Sequence, residues 1–243
     1  RLFRGSPGGD RVRLLALDTS SEACTVAVQD ADALFCRHEM AGRTHTARLM
    51  PMIRAVLADA DLGFDELDAV VLGNGPGSFI GMRIAASVAQ GIAFAAGLPV
   101  VPVSSMAALA AEVFEKTDAT RAAIAQDAHM QEVYFGLYRR SPTALAEPVA
   151  TERLAPQAAL AELEGLDPAE TVAAGAGWQR YPELAARNAA HVRVADALIV
   201  PNASYVVRLG AIAFHEGRAI APEAVDPAYL RQKVASVPAA KTT

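Results

Sequence analysis

Apolar positions gather early in short runs. LLAL leads into Asp18, ACTVAVQ spans Ala23 to Gln29, and a third run around Ala33 to His38 follows the QDADA turn. Runs this short, rich in strand formers and bounded by turn residues, predict an antiparallel meander. From Thr44 the spacing lengthens, and Leu49, Met52, Ile53, Val56 and Leu57 fall on one stripe of a helix over residues 46–60, with Pro51 in or near its first turn. DAVVLGNGPGSF predicts a buried strand running into a Gly/Pro loop. A helix from about Ile80 to Ala96, a strand in LPVVPVS and a helix in SSMAALAAEVFEK follow, and a further helix is expected from about Ala203 to His215.

LLALDTSSEACTVAV and AIAQDAHMQEVYFGL share a pattern: an apolar strand closing on Asp18 or Asp127, a five-residue turn, and a second apolar strand. Chance yields such strands too, since Asp is common at turns, but the match favours an internal duplication. The expected fold is α/β with two duplicated lobes, each a mixed sheet flanked by helices. A flexible extension is expected at residues 1–12, a first lobe at 13–120, a second lobe with reduced helical elements at 121–235, and a flexible tail at 236–243.

Composition narrows the functions. At 243 residues, 52% apolar and 20% charged, the chain has the apolar content for a sizeable core. The net charge of −5, with Lys116, Lys233 and Lys241 the only lysines and the arginines scattered, argues against an independent grip on nucleic acid. No charged residue occurs from Ile84 to Ala111, long enough for a membrane span. Pro99, Pro102, Gln90, Gly97, Ser104 and Ser105 interrupt it, so it is expected to be a buried helix, strand and helix. Cys24 and Cys36 have neither zinc spacing nor partners for a disulfide framework; two buried thiols are expected, although the hairpin turn between them also allows them to face each other.

The clearest chemical signal is GNGPGSFIGMR, Gly73 to Arg83, between a strand and a helix. Such a loop can hold a phosphate on converging N–H groups and a helix N-terminus. It lacks the Gly-Lys-Ser/Thr of a Walker loop and the spacing of a dinucleotide fingerprint. A tight strand-to-helix turn is an equal reading. Asp18, Thr19 and Ser20 at another strand end favour two loops converging on a nucleotide-sized cleft. None of His38, His45, His129, His191 and His215 is spaced for metal ligation, and GxSxG is absent. In the second predicted helix Ile84, Val88 and Ile92 form one stripe and Ala85, Ala89 and Ala93 another. Both fit a core, yet a helix apolar on more than one face needs something on each side, so a partner is a second reading.

Together, LLALDTSSEACTVAV, HTARLMPMI, LDAVVLGNGPGSFIGMRIA, GLPVVPVSSMAALA, QDAHMQEVYFGLY and DPAYLR resemble the TsaB (YeaZ) family, densely over residues 13–140 and thinly afterwards until the segment near Tyr229. The resemblance implies an actin-like, sugar-kinase-like ATPase fold and a cytoplasmic, non-catalytic scaffold in the synthesis of N6-threonylcarbamoyladenosine at position 37 of tRNA. It implies heterodimerisation with the catalytic paralogue TsaD, association with the ATPase TsaE, tRNA contact only through the complex, a homodimer in isolation, and no membrane. The two metal-binding histidines of TsaD fall on Ser105 and Leu109 here, so no metal is expected.

LLALDTS is then the relic of a phosphate loop. Asp18, Thr19, Ser20, Gly75, Gly77 and Ser78 are the expected residual nucleotide or phosphate loops, with no required cofactor and at most weak or complex-dependent ATP or ADP. The implied partner interface comprises His45, Arg48, Leu49, Met52, Ile53 and Val56 of the first helix and Arg83, Ile84, Val88 and Ile92 of the second. Ile80 stands where the family usually has Thr, and Ala85 where Gly is common, which weakens nucleotide binding. The rival readings are an actin-like small-molecule kinase and a glycopeptidase-like metalloprotease.

Overall fold

A computed structural model describes residues 12–157 and 160–230. The extension expected at 1–12 falls outside the described residues except for Val12, and the tail expected at 236–243 falls wholly outside them. The first sheet holds β1 (Arg13–Asp18), β2 (Ala23–Asp30), β3 (Ala33–Met40), β4 (Ala69–Gly73) and β5 (Val100–Val103), in the order β3-β2-β1-β4-β5. The meander β1-β2-β3 is antiparallel, and β4 and β5 run parallel to β1.

The second sheet repeats that plan. β6 (Arg121–Asp127), β7 (Glu132–Ser141), β8 (Leu145–Pro148), β10 (Thr171–Ala174) and β11 (Arg193–Val194) lie in the order β8-β7-β6-β10-β11, and β9 (Arg153–Pro156) also pairs with β7. Here β6-β7-β8 is the antiparallel meander, and β10 and β11 run parallel to β6. Asp18 and Asp127 therefore close equivalent strands. Both sheets are mixed and carry helices, as the duplicated pattern predicts.

Alternation along the first sheet divides its residues between two cores. Leu15, Leu17, Val26, Val70 and Leu72 face α1 (His45–Asp59) and α2 (Phe79–Ala96), meeting Leu49, Ile53 and Val56 from the first helix and Ala85, Ala89 and Ala93 from the second. Pro51 lies in the second turn of α1 rather than the first, so the Ala47 carbonyl lacks its helix donor. The opposite face, with Leu14, Ala16, Val71 and Val101, belongs to the central core.

That central core is built from α3 (Ser105–Lys116) and α6 (Ala203–His215), which pack on each other. α3 rests on β6, β7, β8 and β10, whereas α6 rests on β1, β2, β4 and β5. Each helix thus covers the sheet of the other half. The outer face of the second sheet carries a smaller cluster, with Phe135 and Leu137 under Leu163, Trp178 and Leu184, where α4 (Ala176–Arg180) and α5 (Pro182–Asn188) are short.

α2 is long and apolar enough to cross a membrane by composition, yet its alanine stripe is buried against the sheet. The charge-free run resolves into α2, β5 and α3. Cys24 stands opposite Glu39 and Cys36 opposite Ala27, so the two thiols do not face each other. Only Cys24 is buried; Cys36 is exposed because β3 is the sheet's edge, which corrects the expectation of two buried thiols.

A Cβ at Gly210 of α6 would lie 2.4 Å from both Val71 methyl groups, whereas one at Gly91 of α2 would meet nothing within 4 Å. Gly91→Ala is expected to stabilise by about 1 kcal/mol through helix propensity. Gly210→Ala is expected to destabilise by about 1–3 kcal/mol, because overpacking outweighs that gain. Denaturant unfolding of both variants checks the pair.

Candidate functional site

The loop after β1 and the loop before α2 meet, as their sequences suggest, but they close on each other. Ser78 N donates to Ser20 O at 2.6 Å, and Thr19 Oγ1 donates to Gly81 O at 2.6 Å. A Cβ would lie 2.1 Å from Ser20 O at Gly77 and 1.9 Å from Thr19 O at Gly81. Glycine is required at both positions for backbone to touch backbone, with no gap for a ligand. Gly75, with φ +75°, donates its N–H to Ser105 Oγ at 2.9 Å, and its carbonyl accepts from Ser105 N at 2.9 Å. The Gly75–Pro76 peptide bond is cis.

Asp18 lies beneath this contact, 1% exposed. Its Oδ1 accepts from Ser20 N at 2.7 Å, while Oδ2 has no hydrogen-bond partner among the described residues. Oδ2 abuts β4, where a Cβ on Gly73 would come within 2.1 Å of it. Burial raises the carboxyl above its ordinary range, with the hydroxyl of Ser105 and the Ser20 amide acting the other way. Thr19, Ser20, Gly75 and Gly77 are buried as well, and only Ser78 of the six expected loop residues reaches the surface.

The loops in this conformation leave few donors for the phosphate that an actin-like fold implies. The N–H groups of Ser20, Gly75, Ser78 and Gly81 are already used within the protein, and the carboxylate that would face a bound cation is sealed. Asp18, Thr19, Ser20, Gly75, Gly77 and Ser78, expected as residual phosphate loops, are brought together, with the two loops in direct backbone contact.

The expected partner surface divides. Leu49, Met52, Ile53 and Val56 are core residues, at most 3% exposed, because α1 has one broad apolar stripe and the sheet takes it. His45 is also buried, its Nε2 3.0 Å from Ser21 O. Of these, His45, Met52, Ile53 and Val56 lie inside the chain rather than at its surface, while Leu49 also lines the groove between α1 and α2. Arg48 is exposed and paired with Glu39. Arg83 is exposed, and Ile84, Val88 and Ile92 are half-buried. Between α1 and α2 runs an open apolar groove of about 370 Å³, lined by Met50 of α1 and by Ile80, Arg83, Ile84, Ser87 and Val88 of α2, with Leu49 at its base. Ile80 is 69% exposed beside it.

Comparison with known proteins places the chain in a family. A family model described as TsaD, tRNA N6-adenosine threonylcarbamoyltransferase, matches residues 38–238. The tRNA threonylcarbamoyladenosine biosynthesis protein TsaB of Haemophilus influenzae is 38% identical, over 91% of this chain and 94% of its own length. The protein of the same name from Escherichia coli is 35% identical, over 92% and 96%. The chain belongs to the TsaB family. The structure of YeaZ from Pseudomonas aeruginosa superposes with a TM-score of 0.82 at 36% identity, covering 90% of this chain and all of that one.

In this TsaB-family chain, Ser105 and Leu109, where the resemblance places the TsaD histidines, are both fully buried, Leu109 in the central core. Among the described residues no cluster of three His, Cys, Asp or Glu could hold a metal. Two polar arrangements escaped sequence reasoning. Ser104, the N-cap of α3, and the buried Tyr138 both donate to Glu152 in the β8–β9 loop. Burial raises the Glu152 carboxyl and, with Glu152 beside it, pushes the Tyr138 hydroxyl well up. The segment after α6 crosses to α2 and brings Tyr229 onto Arg83, with Nε donating to the hydroxyl at 2.8 Å. Their separations, 14 and 146 residues, leave no local pattern to read.

Because the native Asp18 carboxyl titrates above its ordinary value of 3.8, the folded state holds a proton that the unfolded chain has released. That contribution to stability is full below pH 3.8 and is lost as pH rises through the native pKa. Asp18→Asn keeps the Oδ1 acceptor without the charge. The variant should match the parent near pH 4 and exceed it at pH 7, because the amide carries no proton-linked loss of stability as the pH rises. Guanidinium unfolding at the two pH values measures the difference.

Proposed function

We propose that this chain serves N6-threonylcarbamoyladenosine formation in tRNA as a non-catalytic subunit. In this reading it docks on a TsaD subunit through the α1–α2 groove. The observation that carries the reading is the contrast between two places on the first sheet. The cleft where an actin-like enzyme would act is filled by backbone packing, with Asp18 sealed and no metal cluster among the described residues. A short distance along α2, apolar side chains line an open groove. Relatives named for threonylcarbamoyladenosine biosynthesis supply the pathway, and the match to the TsaD model supplies a catalytic paralogue of the same architecture.

Self-association through the same groove is expected when no partner is present, covering the exposed Ile80 and the half-buried Ile84 and Val88. The acidic net charge of −5 assigns the grip on tRNA to the assembled complex, which TsaE also joins, rather than to this chain. No nucleotide is required by this subunit, and its place is the cytoplasm.

Ile84→Asp should leave folding intact, because Ile84 is only half-buried, and should weaken binding to a purified TsaD subunit at least tenfold by desolvating a charge in an apolar contact. Modification of tRNA by the reconstituted enzymes should fall in step. Steady ATP turnover by the isolated chain, or undiminished TsaD binding by the variant, overturns the reading.

A further inference from the structure

The groove carries a charge of one sign. Among the residues that line it Arg83 is the only charged one, and none is acidic. Several other arginines on the described surface meet carboxylates: Arg37 meets Asp59, Arg48 meets Glu39, Arg139 meets Glu147 and Arg208 meets Glu115. Arg83 instead stacks on Phe79, its Cζ 3.6 Å from the ring centroid, and donates through Nε to Tyr229. The Phe79 and Tyr229 rings lie 5.5 Å apart at 45°. One N–H of the guanidinium is thus used, and the terminal fork that matches a carboxylate has no acidic partner among the described residues.

The segment holding Tyr229 is itself anchored. Ile220 and Val100 exchange backbone hydrogen bonds at 2.8 and 2.9 Å, Gln90 Nε2 donates to Pro222 O at 3.0 Å, and Asn74 Nδ2 donates to Asp226 O at 3.0 Å. Arg83 is therefore held between a ring of its own helix and a ring delivered by a strap fixed at three points. A guanidinium stacked and bonded in this way loses little freedom when it takes a carboxylate.

We propose that Arg83, positioned by Phe79 and Tyr229, is the specificity residue of the groove: it takes a carboxylate carried on an apolar partner helix and disfavours a second copy of this chain. This rests on docking through the groove. A second copy placed about a two-fold axis presents the same lining, which has a guanidinium and no acid. Arg83 would then be desolvated without a counter-charge. A partner helix with an Asp or Glu at that level removes the penalty, so one side chain separates the two occupants.

The full chain and its Arg83→Gln, Arg83→Lys, Tyr229→Phe and Ile84→Asp variants should be titrated into purified TsaD by calorimetry at low and high salt. Their self-association should be followed by sedimentation equilibrium. Arg83→Gln should weaken TsaD binding at least tenfold and flatten its salt dependence, while self-association holds or tightens. Arg83→Lys should recover part of the loss, and Tyr229→Phe should weaken TsaD binding severalfold without lowering the unfolding temperature. Equal loss of both associations in Arg83→Gln, or TsaD affinity within twofold of the parent, overturns the proposal. If Ile84→Asp breaks the complex and Arg83→Gln does not, only the role of Arg83 fails. If Ile84→Asp leaves it intact, docking through the groove fails as well.

Discussion

The packing of α3 on the second sheet and of α6 on the first binds the two halves into one cooperative unit, because each half supplies the helix that covers the other's sheet. Separated, each sheet would expose a face of Leu, Val and Ile side chains, at roughly 25 cal/mol for every Å² of apolar surface returned to water. The exchange also explains the close approach at Gly210, where the α6 backbone presses directly on Val71. It fixes the ends of β1, β4 and β5 relative to the start of α3, so Asp18, Gly75 and Ser105 meet whatever ligand chemistry the loops retain or lose.

Within that rigid frame, small approaches between loops decide how much space lies between them. The loops need only approach until Ser20 O and Thr19 O rest on Gly77 and Gly81; the amides that a phosphate would use then find carbonyl, hydroxyl and carboxylate acceptors inside the protein. Internal hydrogen bonds of this kind contribute only about 1 kcal/mol each. Their larger effect is steric, since every atom the loops gain as a partner occupies ligand space. The same glycines thus serve a phosphate loop and a closed turn, and the GPGS pattern alone does not distinguish the two.

Sequence spacing located most of the elements because strand and helix periods are local properties. The meander, α2, α3 and α6 follow from runs and stripes, and the duplicated topology follows from the match between Leu14–Val28 and Ala123–Leu137. Periodicity says which face of a helix is apolar but not what covers it. Leu49, Met52, Ile53 and Val56 therefore read equally well as core or contact, and the sheet settled them as core. His45 carried no apolar signal of its burial. The crossing of α3 and α6, the Ser104–Tyr138–Glu152 network and the Tyr229 strap all depend on tertiary contact between distant segments, which no window along the chain contains.

α2 shows why one apolar stripe became interior and its neighbour stayed open. A helix lying on a sheet approaches closest where its side chains are smallest, so Ala85, Ala89 and Ala93 face the strands. Ile84, Val88 and Ile92, one position back along the chain, are rotated about 100° away and half-buried at the flank. Filling the sheet side with isoleucine would lift α2 off β4 and draw Gly77 and Gly81 away from Ser20 and Thr19. The alanine stripe therefore lets the two loops close on each other and leaves the larger side chains along the groove, so the loop contact and the outer apolar surface arise from the same placement of small and large residues.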